Sequence, residues 1–149
     1  MKVGVAGSGV ESQERWLSVL ARADAKEVKA FAEGLLPTLE AHGLSVLENR
    51  TGLVMLPGTD TAQGARFHLG EVLVCESRVR LGSAEGYAIC LGRDLEQSLA
   101  VAILDAALQG DLEADLILSF VRQQEEKLEA ADLELRKLVE GTRVEMETF

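Results

Sequence analysis

The chain has 149 residues, of which 47% are hydrophobic and 27% charged, and its formal net charge is −10. This length fits a single domain with its own hydrophobic core, which we expect to cover residues 1–149. The acidic balance opposes nonspecific binding to nucleic acid or to an anionic membrane surface. No segment approaches the roughly 20 apolar residues of a membrane-spanning helix, and no long apolar leader is present, so we expect a cytoplasmic protein.

Two helices are predicted in the first third of the chain. They follow a glycine-rich stretch, residues 1–10, which we expect to be a flexible extension because Gly and Ser resist ordering. The first helix is predicted over Glu11–Arg22, where apolar residues share one face. Asp24 is the predicted cap of the second helix, with Glu27 at the capping-box position. Pro37 is expected to kink or break this second helix.

Alternating apolar residues in the middle of the chain predict about four antiparallel strands. The predicted strands are Leu44–Glu48 and Leu53–Leu56, with a hairpin turn at Asn49–Gly52, then Arg66–Leu69 and Glu71–Leu81, with a bulge or bend at Gly70, and finally Tyr87–Leu91.

The register of the last two strands follows if Ser83–Glu85 form a three-residue loop. Leu81 then lies opposite Tyr87, and the two cysteines of the chain, Cys75 and Cys90, point to opposite faces of the sheet. This geometry and the expected compartment both disfavour a disulfide. Neither cysteine belongs to a C-x-x-C or metal-ligand spacing, so both are expected to be buried free thiols.

Two more helices are predicted after the strands. Asp94 caps the third helix, Gly110 ends it, and its two apolar sides predict that it is largely buried. The fourth is predicted over Asp115–Glu140, becoming highly charged after Arg122, with an irregular tail over residues 141–149. The segregation of strands and helices along the chain predicts an α+β fold rather than an alternating parallel sheet.

Three closely spaced glycines near the start, Gly4, Gly7 and Gly9, partly match a dinucleotide-binding turn. The third glycine position of that fingerprint holds Ser12, and the following helix leads into another helix instead of a strand. The match is therefore weak. An independent small nucleotide-binding protein or enzyme stays open as the alternative function.

The sequence contains no nucleophile elbow, P-loop or metal-ligand triad. Arg66, Arg78 and Arg80 share one predicted strand face, and Arg93 follows the last strand. Guanidinium groups suit phosphate geometry, so these four arginines are candidate contacts to a phosphate or to substrate. The alternative is a solvated strand face whose charge Glu76 partly neutralises.

Two acidic residues are predicted in apolar surroundings. Glu71 falls on the apolar face of its strand unless Gly70 bulges, and Arg93 is its candidate partner. Asp105 lies in the buried helix and is expected to hydrogen-bond within the fold or across an interface. Buried carboxylates are rare unless they are paired, which favours a structural role for both residues. A catalytic acid or base is the alternative.

A series of short motifs runs in order through the chain: Arg15–Ala21, Thr51–Val54, Arg66-Phe67, Gly70-Glu71, Gly86-Tyr87, Gly92–Asp94, Asp105-Ala106 and Thr142–Glu145. No single motif is specific, but their order and spacing together are. The series resembles the PhnG family, the G subunit of the bacterial carbon–phosphorus lyase system for phosphonate use. The resemblance covers about residues 13–149.

The resemblance implies a subunit of a heteromeric assembly with the H, I, J, K and L proteins of the same system, with the I subunit as direct partner. In that system the G, H, I and L proteins attach a phosphonate to C1′ of the ribose of ATP, and adenine leaves. The nucleosidase-like chemistry is attributed to the I subunit. The J subunit, a radical S-adenosylmethionine iron–sulfur enzyme, later breaks the carbon–phosphorus bond.

ATP is then a substrate of the complex, while this chain is expected to bind no cofactor by itself and not to be catalytic alone. Its expected role is to dock on partners. A narrow apolar stripe crosses the charged fourth helix at three- and four-residue spacing, as in coiled-coil contacts, and the tail that follows carries further apolar residues. The predicted partner interface consists of Leu128, Leu135, Leu138, Val144, Met146 and Phe149.

Overall fold

The computed structural model describes residues 9–147, and the side chains of residues 13–143. The elements in chain order are α1 (Gly9–Arg22), α2 (Ala25–Glu40), β1 (Leu44–Thr59), β2 (Arg66–Leu81), β3 (Ala84–Leu91), α3 (Leu95–Gln109) and α4 (Ala114–Glu147). The three strands form one antiparallel sheet in the order β1-β2-β3, and the predicted α+β class is confirmed. None of the helices in the described residues is long and apolar enough to cross a membrane.

The two N-terminal helices agree with the sequence pattern. Of the predicted extension, only Gly9 and Val10 are described, and they begin α1; residues 1–8 lie outside the described part of the chain. The Asp24 carboxylate accepts hydrogen bonds from backbone N–H groups at the start of α2, so it is the predicted N-cap. Pro37 lies inside α2 without ending it. The direct succession of α1 and α2 also departs from a dinucleotide-binding unit, in which a strand follows the first helix.

The predicted hairpin turn at Asn49–Gly52 is wrong, because β1 runs through these residues without interruption. Their backbones pair with β2, from Asn49 opposite Ser77 to Gly52 opposite Val74. The Ser77 hydroxyl also donates a 2.9 Å hydrogen bond to the Asn49 side chain. Pairing with β2 thus satisfies the backbone N–H and C=O groups that a tight turn would have satisfied locally. The sheet consequently has three long strands in the described chain instead of about four short ones.

The predicted register of β3 is also wrong. Leu81 pairs with Ala84 across a two-residue turn in which Gly82 has a φ of +60°, so β3 is shifted relative to the prediction. Cys75 and Cys90 lie directly opposite each other and both are buried free thiols. Burial raises the pKa of both thiols, that of Cys90 to about 11, which keeps them protonated near neutral pH.

The close approach of α3 to β3 explains this register. The inward positions of β3 are small, Gly86, Ala88 and Cys90, while the larger Tyr87 and Ile89 face outward. A Cβ placed on Gly86 would lie only 2.1 Å from the carbonyl oxygen of Ala102 in α3. Large residues therefore cannot occupy the inward face of β3, and Tyr87 and Ile89 lie on its outer face.

The helices cover one face of part of the sheet. α3 packs against β2 and β3, α2 packs on α3, and α1 lies between α3 and the first half of α4. We call α1–α3, the first half of α4 and the sheet region they cover the body. The core is mainly aliphatic, with α3 buried along nearly its whole length, as its two apolar sides predicted. Asp94 caps α3 by accepting from the Gln97 N–H, and Gly110 ends the helix.

Charged and aromatic contacts hold the first half of α4 on α1 and α2. Arg15 donates two hydrogen bonds, of 3.0 and 2.8 Å, to Glu125, and Lys127 lies 2.7 Å from Glu27. These partners hold the pKa of the Glu125 and Glu27 carboxyls below the ordinary value. Phe120 of α4 stacks on Phe31 of α2, with ring centroids 4.1 Å apart.

The irregular tail predicted after Glu140 is wrong for residues 141–147, because α4 continues to Glu147. Gly141 does not stop the helix, since a glycine in a helix interior costs only about 1 kcal/mol relative to Ala. At 1.5 Å per residue the 34 residues of α4 extend about 50 Å. Its second half therefore leaves the body.

The Gly86→Ala substitution tests the approach of α3 to β3. The added methyl group would lie 2.1 Å from the Ala102 carbonyl oxygen and 2.4 Å from the Ala106 nitrogen, both backbone atoms that cannot move aside alone. We expect a loss of about 3 kcal/mol or more in the free energy of unfolding, measured by denaturant titration.

Gly34→Ala is the matched control, since Gly34 lies inside α2 with no atom near the new methyl group. It should stabilise the protein by about 0.5–1 kcal/mol. Similar unfolding midpoints for the two variants would contradict the packing described for Gly86.

Candidate functional site: surfaces for partner proteins

Two of the four arginines nominated as phosphate contacts are engaged with carboxylates of the same sheet. Arg78 lies 3.9 Å from both Glu48 and Glu85, and Arg80 lies 3.1 Å from Glu85. Each pair is largely exposed and individually weak, but together they neutralise this strand face. The carboxylates would have to be displaced before a phosphate could bind here.

The other two arginines lie elsewhere on the molecule. Arg66 begins β2, about 40 Å from Arg78 at roughly 3.3 Å per residue. Arg93 follows β3, at the turn where the Gly92 N–H bonds the Leu73 carbonyl. Neither Arg66 nor Arg93 makes an ion pair with the side chains of residues 13–143. The structure therefore does not gather the four arginines into one basic cluster.

Glu71 is exposed, which corrects its predicted burial. Its register partner is Met55, and it shares its face with Leu73 and the buried Cys75, as the alternation predicted. The helices do not reach this far along β2, so the face is uncovered at Glu71. The predicted ion pair with Arg93 is not formed among the described side chains.

Asp105 is fully buried in α3 and joins three elements. One carboxyl oxygen accepts a 2.8 Å hydrogen bond from the Trp16 indole of α1, and the other accepts a 2.9 Å bond from the Tyr87 backbone N–H of β3. Gln13 approaches within 3.4 Å. The prediction that Asp105 hydrogen-bonds within the fold is confirmed. With both oxygens occupied by structural donors, this geometry favours a structural role over acid or base catalysis.

An extended exposed apolar surface lies on a two-stranded extension of the sheet. β3 pairs with β2 only from Val74 onward, so the outer parts of β1 and β2, Leu53–Thr59 and Arg66–Leu73, pair only with each other. We call this segment the ribbon; it extends about 20 Å at roughly 3.3 Å per residue. No helix of the described chain packs over the ribbon residues, which are exposed or at most half-buried.

The ribbon is apolar on both faces. Leu53 and Met55, each 62% exposed, continue the face that the helices cover elsewhere, whereas Val54 and Leu56 lie on the opposite face. At its outer end the pairing passes from Leu56–Gly70 to Pro57–His68, which leaves Leu69 as an extra residue next to the predicted bulge at Gly70. Contiguous exposed apolar surface of this kind is typical of protein interaction sites.

The apolar stripe of α4 is exposed beyond the body. We call Leu128, Ala131, Leu135 and Leu138 the seam. Leu128 packs against the core, but Leu135 and Leu138 are 61% and 69% exposed. Val144 and Met146, also predicted at the interface, lie in α4 beyond the described side chains, and Phe149 lies outside the described residues.

Sequence reasoning found the seam but not the ribbon. The signal for the ribbon was present, because apolar residues alternate through both outer strand segments. The sequence does not state how far the helices extend over the strands, so the alternation predicts strands but not their exposure. Among the described residues there is also no group of three or more His, Cys, Asp or Glu side chains placed to hold a metal ion.

The Asp105→Asn substitution tests the buried hydrogen-bond network. The asparagine amide group would turn a donor toward either the Trp16 indole or the Tyr87 N–H, leaving two donors facing each other in the core. We expect the free energy of unfolding to fall by about 2–3 kcal/mol. Unfolding is monitored by the fluorescence of Trp16, the only tryptophan of the chain. Asp111→Asn, at an exposed position, is the control and should change the free energy of unfolding by less than about 0.5 kcal/mol. Equal stability of the two variants would contradict the role of Asp105.

A comparison with protein families finds a match over most of the chain. The family model described as "Phosphonate metabolism protein PhnG" matches residues 11–149, which include the ribbon, the Asp105 network and α4. The comparison with curated proteins finds no match to the chain.

Proposed function

The chain belongs to the PhnG family of phosphonate metabolism proteins, and we propose that it is a non-autonomous, cytoplasmic subunit of the carbon–phosphorus lyase core complex. In this role it supports the transfer of a phosphonate to C1′ of the ribose of ATP, with release of adenine. ATP is a substrate of the complex, and the catalytic groups belong to partner subunits. The exposed apolar ribbon is the observation that carries this proposal.

The ribbon supports a subunit because its covering surface must come from outside the described chain. Its two apolar faces expose large side chains, and its outer strand edges carry unpaired backbone N–H and C=O groups. A partner that clamps both faces, or adds a strand to an edge, would bury the side chains and satisfy the backbone groups. We propose the I protein of the same system as the partner that holds the ribbon.

An independent enzyme remains the alternative. It is less well supported, because the described part of the chain offers no constellation of nucleophile, base and orienting group. The buried Asp105 is occupied by structural donors, Glu71 is exposed, and Arg78 and Arg80 face carboxylates. The chain therefore contributes binding surfaces and charged side chains to the complex, and partner subunits contribute the catalytic groups.

Polar substitutions in the ribbon test the proposal. The Leu53→Gln/Met55→Gln variant makes the two most exposed side chains of one ribbon face polar. Neither side chain is part of the buried core. We expect recovery of the I protein with the tagged chain, co-expressed and quantified by mass spectrometry, to fall about tenfold or more, since buried apolar contacts dominate such interfaces.

Leu116→Gln is the matched control, an exposed leucine of α4 far along the chain from the ribbon. This variant should recover the I protein as the unmodified chain does. Unchanged recovery with the ribbon variant would show that the ribbon is not the docking surface. Recovery of the unmodified chain alone, in cells that produce the H, I and J proteins, would contradict the subunit proposal itself.

Substitution of the unpaired arginines tests contact with the triphosphate. Arg66 and Arg93 lack carboxylate partners within residues 13–143, so they are better placed for a phosphate than Arg78. In the assembled complex, Arg93→Gln or Arg66→Gln should weaken ATP binding about tenfold, since a charge-assisted hydrogen bond contributes about 1.5–3 kcal/mol. Arg78→Gln is the matched control and should have little effect. Unchanged ATP affinity for both test variants would assign the phosphate contacts to other subunits.

A further inference from the structure

The two cysteines of the chain face each other across neighbouring strands of the sheet. Cys75 of the central strand β2 is the register partner of Cys90 in β3, and both are free thiols. Directly opposite residues of an antiparallel pair project to the same face of the sheet. Both side chains therefore lie on the buried face that α3 covers, together with Ala88.

The spacing of this pair suits a disulfide bond. The Gly92 N–H donates a 2.9 Å hydrogen bond to the Leu73 carbonyl, so these two residues form a hydrogen-bonded pair of the ladder. Such pairs alternate with non-hydrogen-bonded ones, so Cys75 and Cys90 form the next hydrogen-bonded pair. The Cα atoms of such a pair are about 5.5 Å apart. Disulfides join Cα atoms roughly 4.4–6.8 Å apart, so this bond closes with little backbone movement.

The Cys90 thiol lies close to the end of its strand. One further register pair, Val74 with Leu91, follows before the chain turns at Gly92, whose φ is +100°. The Leu91 side chain is 75% exposed, so little buried surface holds this end of β3. Strand ends with few buried contacts open at low free energy. Opening here exposes Cys90 to solvent and breaks the 3.1 Å hydrogen bond from the Cys75 thiol to the Gly92 carbonyl.

We propose that Cys75 and Cys90 close reversibly into a disulfide when hydrogen peroxide oxidises the chain. In the closed strand, burial raises the pKa of both thiols and keeps them unreactive, so the reaction begins with opening of the end of β3. Cys90 then attacks one peroxide oxygen, the O–O bond breaks, and a sulfenic acid and one water form.

The second step closes the bond. The Cys75 sulfur attacks the sulfenic sulfur of Cys90, the S–S bond forms, and the hydroxyl group leaves with the remaining thiol proton as a second water. Two thiols are thus oxidised, and one hydrogen peroxide is reduced to two molecules of water. A thiol reductant restores both cysteines by exchange.

The disulfide would hold the boundary between the body and the ribbon. β3 pairs with β2 as far as Val74, and the ribbon begins at the next residue, Leu73. In the reduced chain hydrogen bonds hold the end of β3 at this boundary, whereas in the oxidised chain a covalent bond holds it. This inference concerns the chain by itself and does not depend on the function proposed above.

Peptide mapping of the purified full-length chain tests the proposal. Trypsin cleaves after Arg78 and Arg80, between the two cysteines, so the thiols fall on separate peptides. After hydrogen peroxide treatment of the folded, reduced chain, the two peptides should be joined and lighter than their sum by two hydrogen atoms. Dithiothreitol should separate them. The oxidised chain should stay monomeric on a non-reducing gel, which places the bond within one chain.

Thermal unfolding shows whether the bond holds β3 in place. The oxidised chain should unfold about 5 °C or more above the reduced chain, because a disulfide that closes a loop of about 15 residues restricts the unfolded state. An oxidised chain no more stable than the reduced one would overturn the proposed locking of β3.

Cys90→Ala/Leu91→Cys is the matched control. It keeps two cysteines at almost the same separation along the chain, so oxidation of unfolded chains would join them equally well. In the folded chain residue 91 lies on the outer face of the sheet, away from Cys75. Joined peptides should therefore be at least about tenfold less abundant than in the unmodified chain.

Two results of the mapping would overturn the proposal. One is equal joining in the control and the unmodified chain, which would place bond formation in the unfolded state. The other is an unmodified chain whose cysteines stay free or only gain oxygen. The same mapping applies to the tagged chain in a co-purified complex, so the test does not require a soluble isolated chain.

Discussion

The buried Asp105 carboxyl group fixes how the helices meet the sheet. Within the described residues β3 is an edge strand, so no strand pairs with the Tyr87 N–H on its outer side, and Asp105 of α3 accepts its hydrogen bond. The second oxygen binds the Trp16 indole and thereby attaches α1. Because an unmet donor in the core would cost about 1–3 kcal/mol, the group constrains all three elements together. Gly86, the residue before Tyr87, permits the approach by having no side chain.

This arrangement limits how much of the sheet the helices cover. α3 is held against β3 and the adjoining part of β2, and the helical layer ends where β3 ends. β1 and β2 continue beyond it as the ribbon, with a face of core composition and none of the described helices above it. α4 leaves the body in a similar way after its contacts with Glu27 and Arg15. Both exposed surfaces are thus continuations of buried ones, which is why their residue patterns look like core in the sequence.

The predictions that succeeded depend on local interactions, and those that failed depend on contacts between residues far apart in the sequence. Helix caps at Asp24 and Asp94 were predictable because capping is a local interaction between neighbouring residues. The turn predicted at Asn49–Gly52 failed because pairing with β2, many residues away in sequence, replaced the local turn. The β3 register failed because size, and not hydrophobicity, selects the residues under α3. The face of Glu71 followed from alternation, but its exposure depends on where α3 ends, which is a property of the tertiary structure.

Electrostatics separates the two exposed surfaces by the kind of partner they fit. With a net charge of −10, two copies of the chain repel each other at long range, so self-association requires a local pattern that reverses this repulsion. The second half of α4 carries an acidic segment, residues 125–134, followed by a basic one, residues 136–143. The ribbon offers apolar side chains and open strand edges but no alternation of charge. It is therefore suited to a different protein with an apolar cleft.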